Sequence, residues 1–334
     1  MPGSRTVRVV EAVRETADAV SLVLDPGDAG LAYRPGQFLT VRIPGGGARC
    51  YSLASSPHTG EPPRITVKRV PGGVGSAWIC DRVTVGDELE VLPPAGQFGP
   101  ADLDRDLLLV AGGSGITPVL SVAKSALAAG RARVALVYAN RAEPAVIFRD
   151  ELRELAEDFP GRFTLIHWLE TLQGLPTADA LSATVAPYAV RDAYLCGPVP
   201  LMDAAEAAVR ASGGRTVHRE RHFSLSDDVF ARPAAQEPAG DAPGYTAVAV
   251  LDGARHEVAG GRETPLLDAL LAAGVDAPYS CREGACAACT CRIVSGGTKL
   301  LRNEVLTDAD LAEGYTLACQ TVPLGPRVEV TYDA

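Results

Sequence analysis

Along the first hundred residues, apolar and polar positions change places in short bursts. "RTVRVVEAVRE", "AVSLVLD", "QFLTVRIPG", "RITVKRV" and "DELEVLPP" are rich in β-branched residues, and Gly/Pro clusters such as "RPGQ", "PGGGAR" and "VPGGVG" separate them. Short strands joined by tight turns are the expectation, hence an all-β barrel or sandwich over residues 1–101. The rhythm then lengthens. "DLLLVAGG" reads as a buried strand and "PVLSVAKSALAAG" as a helix. "RVALVYANR" and "FRDELRELAEDFP" repeat the pair; "RFTLIHWLE" and "DAYLCGP" are further strands, and the helix "PLMDAAEAAVRASGG" closes the series. Alternating strands and helices predict an α/β domain with a parallel sheet over residues 102–226. Residues 227–243, "DDVFARPAAQEPAGDAP", have the Pro, Ala and acid content of a linker. Residues 244–334 form a third, smaller block.

Composition narrows the function classes. The formal charge is −10 and no basic run occurs, which argues against a nucleic-acid partner. No apolar run approaches the roughly 18 residues of a membrane span, and the start lacks a signal-peptide core. A cytoplasmic protein with no membrane partner is expected. Disulfides are then disfavoured, and clustered thiols point to metal or redox work.

Four of the eight cysteines fall within "CREGACAACTC". Cys281, Cys286 and Cys289 are spaced C-x4-C-x2-C, and Cys319 follows after 29 residues. That is the plant-type [2Fe–2S] spacing. Small residues at Gly284 and Ala285 let backbone N–H groups approach cluster sulfur. A zinc site is the alternative, but it more usually shows two C-x2-C pairs. Cys291 reads as a small core residue. Residues 244–334 resemble the plant-type ferredoxin domain, and the resemblance implies a β-grasp fold.

"RCYSLASSP" alone reads equally as a strand edge with a turn. Followed by "ITVKRVPGGVGSAWICD", it resembles the flavin domain of the ferredoxin–NADP reductase superfamily, a six-stranded antiparallel Greek-key barrel. The resemblance implies that Arg49 pairs a flavin phosphate, beside Cys50, and that Tyr51 packs on the isoalloxazine. It places Ser52 near flavin N5, Val67 and Lys68 along the ring, and Gly73, Gly75 and Ser76 at the pyrophosphate. A guanidinium suits phosphate and a tyrosine ring suits a flat apolar surface. "GGSGITP" departs from G-x-G-x-x-G, since position 118 is proline. It matches the superfamily's own run, implying that Gly112, Gly113 and Thr117 meet the pyridine nucleotide. "CGP" implies that Cys196, Gly197 and Pro198 lie beside the nicotinamide. Ser52, Thr117 and Cys196 are thus the candidate catalytic residues. Arg141, after the second α/β strand, would face the adenosine ribose, where Glu143 opposes a 2′-phosphate. NADH is preferred over NADPH on that ground. Phe223 sits where relatives carry a flavin-shielding aromatic, although His222 interrupts the usual E-R-F.

The order of modules resembles the reductase components of oxygenases. "VKRVPGGVGS", "LEVLPPAGQF" and "HWLETLQGLP" are most similar to the 3-ketosteroid 9α-hydroxylase reductases. The resemblance implies a converter that takes two electrons from NADH through FAD (FMN in phthalate-type relatives) to a [2Fe–2S] cluster. Single electrons then pass to a terminal oxygenase component, a Rieske-type steroid or aromatic hydroxylase. A di-iron CoA-ester epoxidase or a cytochrome P450 is the alternative acceptor. A cluster-based redox sensor would need an effector module, and none is legible.

Overall fold

The computed structural model describes residues 3–45, 47–221, 225, 229–230 and 244–333. Six strands build the first domain: β1 (Arg5–Thr16), β2 (Ala19–Asp25), β3 (Phe38–Arg42), β4 (Ala48–Ser52), β5 (Arg64–Lys68) and β6 (Glu88–Val91). They lie in the order β4-β3-β6-β1-β2-β5. Every strand contact is antiparallel, and a Leu53–Ile65 bridge closes the barrel between its two outer strands. Leu22, Leu24, Leu39, Leu53, Ile65 and Leu89 fill its interior. Helix α1 (Val74–Arg82) caps it. The sixth strand is "ARCYS" itself, which the apolar pattern does not mark as one.

Five parallel strands follow in the order β11-β10-β7-β8-β9. They are β7 (Leu107–Gly112), β8 (Val134–Asn140), β9 (Phe163–Leu169), β10 (Asp192–Cys196) and β11 (Val217–Glu220). Every residue of β7 and β8 is buried. Alternate side chains serve opposite faces: Leu107 and Leu109 join one core, Leu108 and Val110 the other. A parallel sheet covered on both sides demands such unbroken apolar runs. Helices α2 (Ile116–Ala128) and α3 (Arg149–Asp158) cover the first face. After the short α4 (Glu170–Gln173), α5 (Ala178–Val185) and α6 (Val199–Ala211) cover the second. The chain leaves β7 toward β8 on one side and reaches β10 on the other. The carboxyl ends of β7 and β10 therefore flank a topological switch point, where α/β sheets bind ligands.

The third domain is a mixed sheet in the order β13-β12-β18-β14-β16. Its elements are β12 (Tyr245–Leu251), β13 (Ala254–Gly260), α7 (Leu266–Ala272), β14 (Thr290–Ser295), β15 (Thr298–Leu300), α8 (Asp308–Ala312), β16 (Tyr315–Leu317), β17 (Thr321–Pro323) and β18 (Arg327–Thr331). Helix α7 packs its leucines on the sheet, as a β-grasp requires.

Polar contacts fix the barrel on the α/β domain. Ser121 donates to the Ser55 carbonyl at 2.6 Å, and the Ser56 and Ser125 hydroxyls meet at 2.7 Å. Lys124 bridges Glu61 at 2.6 Å and Glu151 at 2.8 Å, and Arg64 reaches Glu151 at 2.7 Å. The ferredoxin block also docks on the barrel. The Thr40 and Ser280 hydroxyls meet at 2.6 Å across that boundary. Phe38, Leu92 and Ala95 of the barrel pack there with Cys281, Cys286, Leu225, Val229 and Phe230. The expected linker is thus anchored at its start, with Arg42 over the Phe230 ring at 5.4 Å.

Candidate functional site

A cavity of about 270 Å³ opens between the barrel and the α/β domain. Arg49, Cys50, Tyr51 and Ser52 of β4 form one wall, and Thr66, Val67 and Lys68 of β5 a second. Gly73, Gly75 and Ser76 bring the N-terminus of α1 to it, and Ser114 and Thr117 enter from the α/β domain. The flavin residues expected from sequence are thereby gathered in one place. Gly75 is required by packing, since a Cβ there would lie 2.8 Å from Arg49 Cγ. The first-turn N–H groups of a helix have no partner within it and suit an anion. Ser76 also braces the turn, its hydroxyl accepting from the Val70 N–H at 3.0 Å.

Gly112 and Gly113 lie just beyond the cavity, against the Cys196–Gly197–Pro198 run. A Cβ on Gly112 would meet Pro198 Cδ at 2.8 Å, and one on Gly115 would meet the Cys196 carbonyl oxygen at 2.1 Å. Gly113 has φ +53°. The two glycine-bearing turns are in contact at the switch point, and a flat nicotinamide ring would enter beside them. Burial, then the Glu220 charge, raises the Cys196 thiol well above its usual range, so it keeps its proton.

Three residues matter here that the expected site set does not include. Gly115 is the closest contact of the two turns. Glu220 pairs with Cys196 across parallel strands, and burial pushes its carboxyl up to about 8. Asn140 ends β8 with its side-chain amide shut off from water beside the Tyr138 hydroxyl. A buried amide at the carboxyl end of a parallel strand is placed where such sheets bind ligands. Arg141, next in sequence, is exposed, while Glu143 is held by Arg149 at 3.4 Å. Phe223 lies outside the described residues.

The Glu220 carboxyl predicts a pH effect. In the folded chain it holds its proton up to about 8; in the unfolded chain it loses it near 4.5. Between those values the folded state binds more protons, so stability falls as pH rises through that window. Glu220→Gln is expected to remove this component. Calorimetric melting temperatures from about pH 5 to 8.5 should fall more steeply for the wild type; parallel curves would reject the assignment.

At the other end, the cysteine loop bends through left-handed residues. Arg282, Gly284 and Ala287 have φ of +57°, +75° and +57°. A Cβ on Gly284 would meet the Arg302 carbonyl oxygen at 2.8 Å. The loop's backbone donors turn inward: Glu283 N–H reaches Cys281 Sγ at 3.3 Å, and Cys281 N–H reaches Cys286 Sγ at 3.4 Å. A hydrogen bond from Cys286, joined by the N–H groups of Glu283, Ala285 and Cys286, holds the Cys281 thiol below its usual range. Cys281 pairs with Cys286, and Cys289 with Cys319. Among the described residues, no three His, Cys, Asp or Glu side chains gather as a single ion would need. Two sulfurs per centre are the donor set of a two-iron cluster. Cys291 lies in the hydrophobic core, where burial pushes its thiol up to about 12.

Family models match all three domains: an oxidoreductase FAD-binding domain over residues 5–99, an oxidoreductase NAD-binding domain over 109–207, and a 2Fe-2S iron-sulfur cluster binding domain over 249–324. The ferredoxin reductase component of 3-ketosteroid-9-alpha-monooxygenase from Mycolicibacterium smegmatis is 50% identical, over 98% of this chain and 96% of its own. The chain belongs to this family of iron–sulfur flavoprotein reductases. The reductase is also 34% identical to a component of the 1,2-phenylacetyl-CoA epoxidase of Escherichia coli, over 99% of this chain and 98% of that one. Its fold matches the solved structure of phthalate dioxygenase reductase with a TM-score of 0.59 and 25% identity, covering 98% of each chain. FAD, NAD and a [2Fe–2S] cluster are its cofactors. No helix among the described residues is long and apolar enough to cross a membrane.

Proposed function

We propose that this reductase serves a separate oxygenase that hydroxylates a 3-ketosteroid, drawing electrons from NADH in the cytoplasm. The 50% identity along the whole chain carries the reading. FAD, when bound, takes up the hydride's two electrons and returns them singly, and the cluster carries one at a time. The chain's own part is placement. Arg49 and the N-terminus of α1 would hold the flavin phosphates, and the Tyr51 ring would offer the isoalloxazine a flat apolar face. Ser52 and Thr117 set their hydroxyls at the reacting edge, where both are buried and exclude water. Cys196 and the neighbouring glycine turn define the nicotinamide slot, and Asn140 holds the nucleotide beyond it. Cys281, Cys286, Cys289 and Cys319 ligate the cluster.

The ferredoxin block carries 12 acids and 7 bases over residues 244–334. An acidic surface beside the cluster suits a basic patch on the oxygenase and chiefly raises the rate of encounter. Glu143, two positions after Arg141 in the chain, disfavours a 2′-phosphate. Preference for NADH over NADPH in kcat/KM is expected to be at least about tenfold, roughly 1.4 kcal/mol.

The test is reconstitution. The purified reductase, NADH and a Rieske-type 3-ketosteroid oxygenase should give hydroxylated steroid, with product tied to NADH consumed. Rapid cytochrome c reduction without steroid turnover would keep the reductase and discard the steroid partner. Turnover with a di-iron CoA-ester epoxygenase instead would install that acceptor.

A further inference from the structure

The boundary between barrel and ferredoxin block is apolar except at one buried pair of hydroxyls. Strand β3 alternates in two directions. Leu39 and Val41 join the barrel interior. Phe38 instead packs with Cys281, Cys286 and Phe230, and Arg42 lies over the Phe230 ring. Between those two, Thr40 is 0% exposed, and its hydroxyl meets that of Ser280, 1% exposed, at 2.6 Å. The ends of this contact lead to the two redox sites. Thr40 is the cross-strand partner of Cys50, and its hydroxyl lies 3.5 Å from the Cys50 sulfur. Cys50 belongs to the wall of the cavity between barrel and α/β domain, and it also packs against the group that holds Cys281 and Cys286. Ser280 precedes Cys281 in the chain. A cross-strand step, a hydrogen bond and a peptide bond therefore join the cavity wall to the cysteine loop.

Apolar packing does not fix how two surfaces are turned on one another. Burial of Phe38, Leu92, Ala95 and Phe230 holds the modules together but has no direction. A hydrogen bond has direction, and a buried hydroxyl turned away from its partner is left unsatisfied at a cost. The pair thus selects the orientation that sets the cysteine loop against β3 and β4. We propose that Thr40 is a positioning residue for the electron step from flavin to cluster, its bond to Ser280 holding the Cys281 loop on the back of the flavin wall. The inference rests on the reading that FAD fills that cavity and that the four cysteines hold the cluster. In the step served, FAD loses one electron and the cluster gains one, and no bond in the protein forms or breaks. Thr40 lies outside the cavity wall and acts through the two residues it touches.

Thr40→Val keeps the branched shape and removes the hydroxyl; Thr40→Ser returns it. In the full-chain holoprotein, stopped-flow bleaching of the flavin by NADH should stay within about twofold of wild type in both variants. Rapid-freeze EPR should show cluster reduction slowed about tenfold in Thr40→Val and by no more than about twofold in Thr40→Ser. The flavin and cluster midpoint potentials should not move. Melting temperatures give a readout without turnover: Thr40→Val and Ser280→Ala should each lower the value, and the double variant should lose less than their sum, as paired hydroxyls require. Unslowed cluster reduction in Thr40→Val would overturn the proposal. So would equal slowing in Thr40→Ser, which would trace the effect to shape, or a shifted midpoint, which would trace it to driving force. Additive melting losses would show that the hydroxyls are not paired in solution. A wild type without flavin or [2Fe–2S] spectra would instead strike the cofactor reading beneath the proposal.

Discussion

Cys319→Ser is expected to separate the two halves of the electron path. NADH oxidation by ferricyanide should stay near the wild-type rate, because the cavity between barrel and α/β domain is untouched. Anaerobic cytochrome c reduction should collapse, beyond the roughly 10–100-fold in metal affinity that loss of an outer-shell partner costs. Cys319 stands in the short turn Ala318–Gln320, pinned by the Ala318 N–H on the Cys289 carbonyl at 3.1 Å. A serine there has the right place but a hard oxygen that binds only when deprotonated, where iron–sulfur chemistry takes thiolate. The surrounding leucines keep the β-grasp folded, so the variant should be soluble and flavin-yellow, without the cluster's absorption. Cytochrome c reduction above a tenth of the wild-type rate would show that electrons bypass the cluster.

Gly115→Ala should have the second largest effect, on hydride transfer. The new methyl would sit 2.1 Å from the Cys196 carbonyl oxygen, 2.4 Å from its carbon and 2.7 Å from Gly197 N. All three are backbone atoms and cannot swing aside. The turn after β7 and the turn after β10 would have to part, widening the slot they define. A displacement on the order of 1 Å at a reacting geometry can cost about 10²-fold. Stopped-flow bleaching of bound FAD by NADH should slow by about that factor. Flavin content should persist, because the barrel supplies most of the cavity wall. An unchanged bleaching rate would mean that the contact between the turns does not govern nicotinamide placement.

The fold and the wall of the cavity between barrel and α/β domain were largely legible because glycine punctuation and β-branched runs mark strands locally, and because Arg49 to Ser52 and Gly73 to Ser76 are short contiguous motifs. What pattern could not show depends on pairing at a distance. Ala48–Ser52 has three half-buried residues between buried ends, so no alternation announces it; its register with Phe38–Arg42 makes it a strand. Val217–Glu220 has no apolar run, and its place comes from lying parallel to β10. That is why Glu220 beside Cys196 was invisible. The Asn140 amide looked ordinary in "YANR" because burial of a side chain is a tertiary property. The Thr40–Ser280 contact joins residues 240 positions apart, and neither has a sequence feature that foretells it.

That contact, together with the buried Leu225, Val229 and Phe230, has a kinetic consequence. Donor and acceptor modules held on one chain meet without diffusing, so transfer between them is first order and indifferent to dilution. A ferredoxin block cut from the chain would have to be supplied at roughly millimolar concentration to match a short tether. Encounter with the oxygenase is then the step that dilution slows, and scarcity of this reductase lowers throughput in proportion without uncoupling its internal steps.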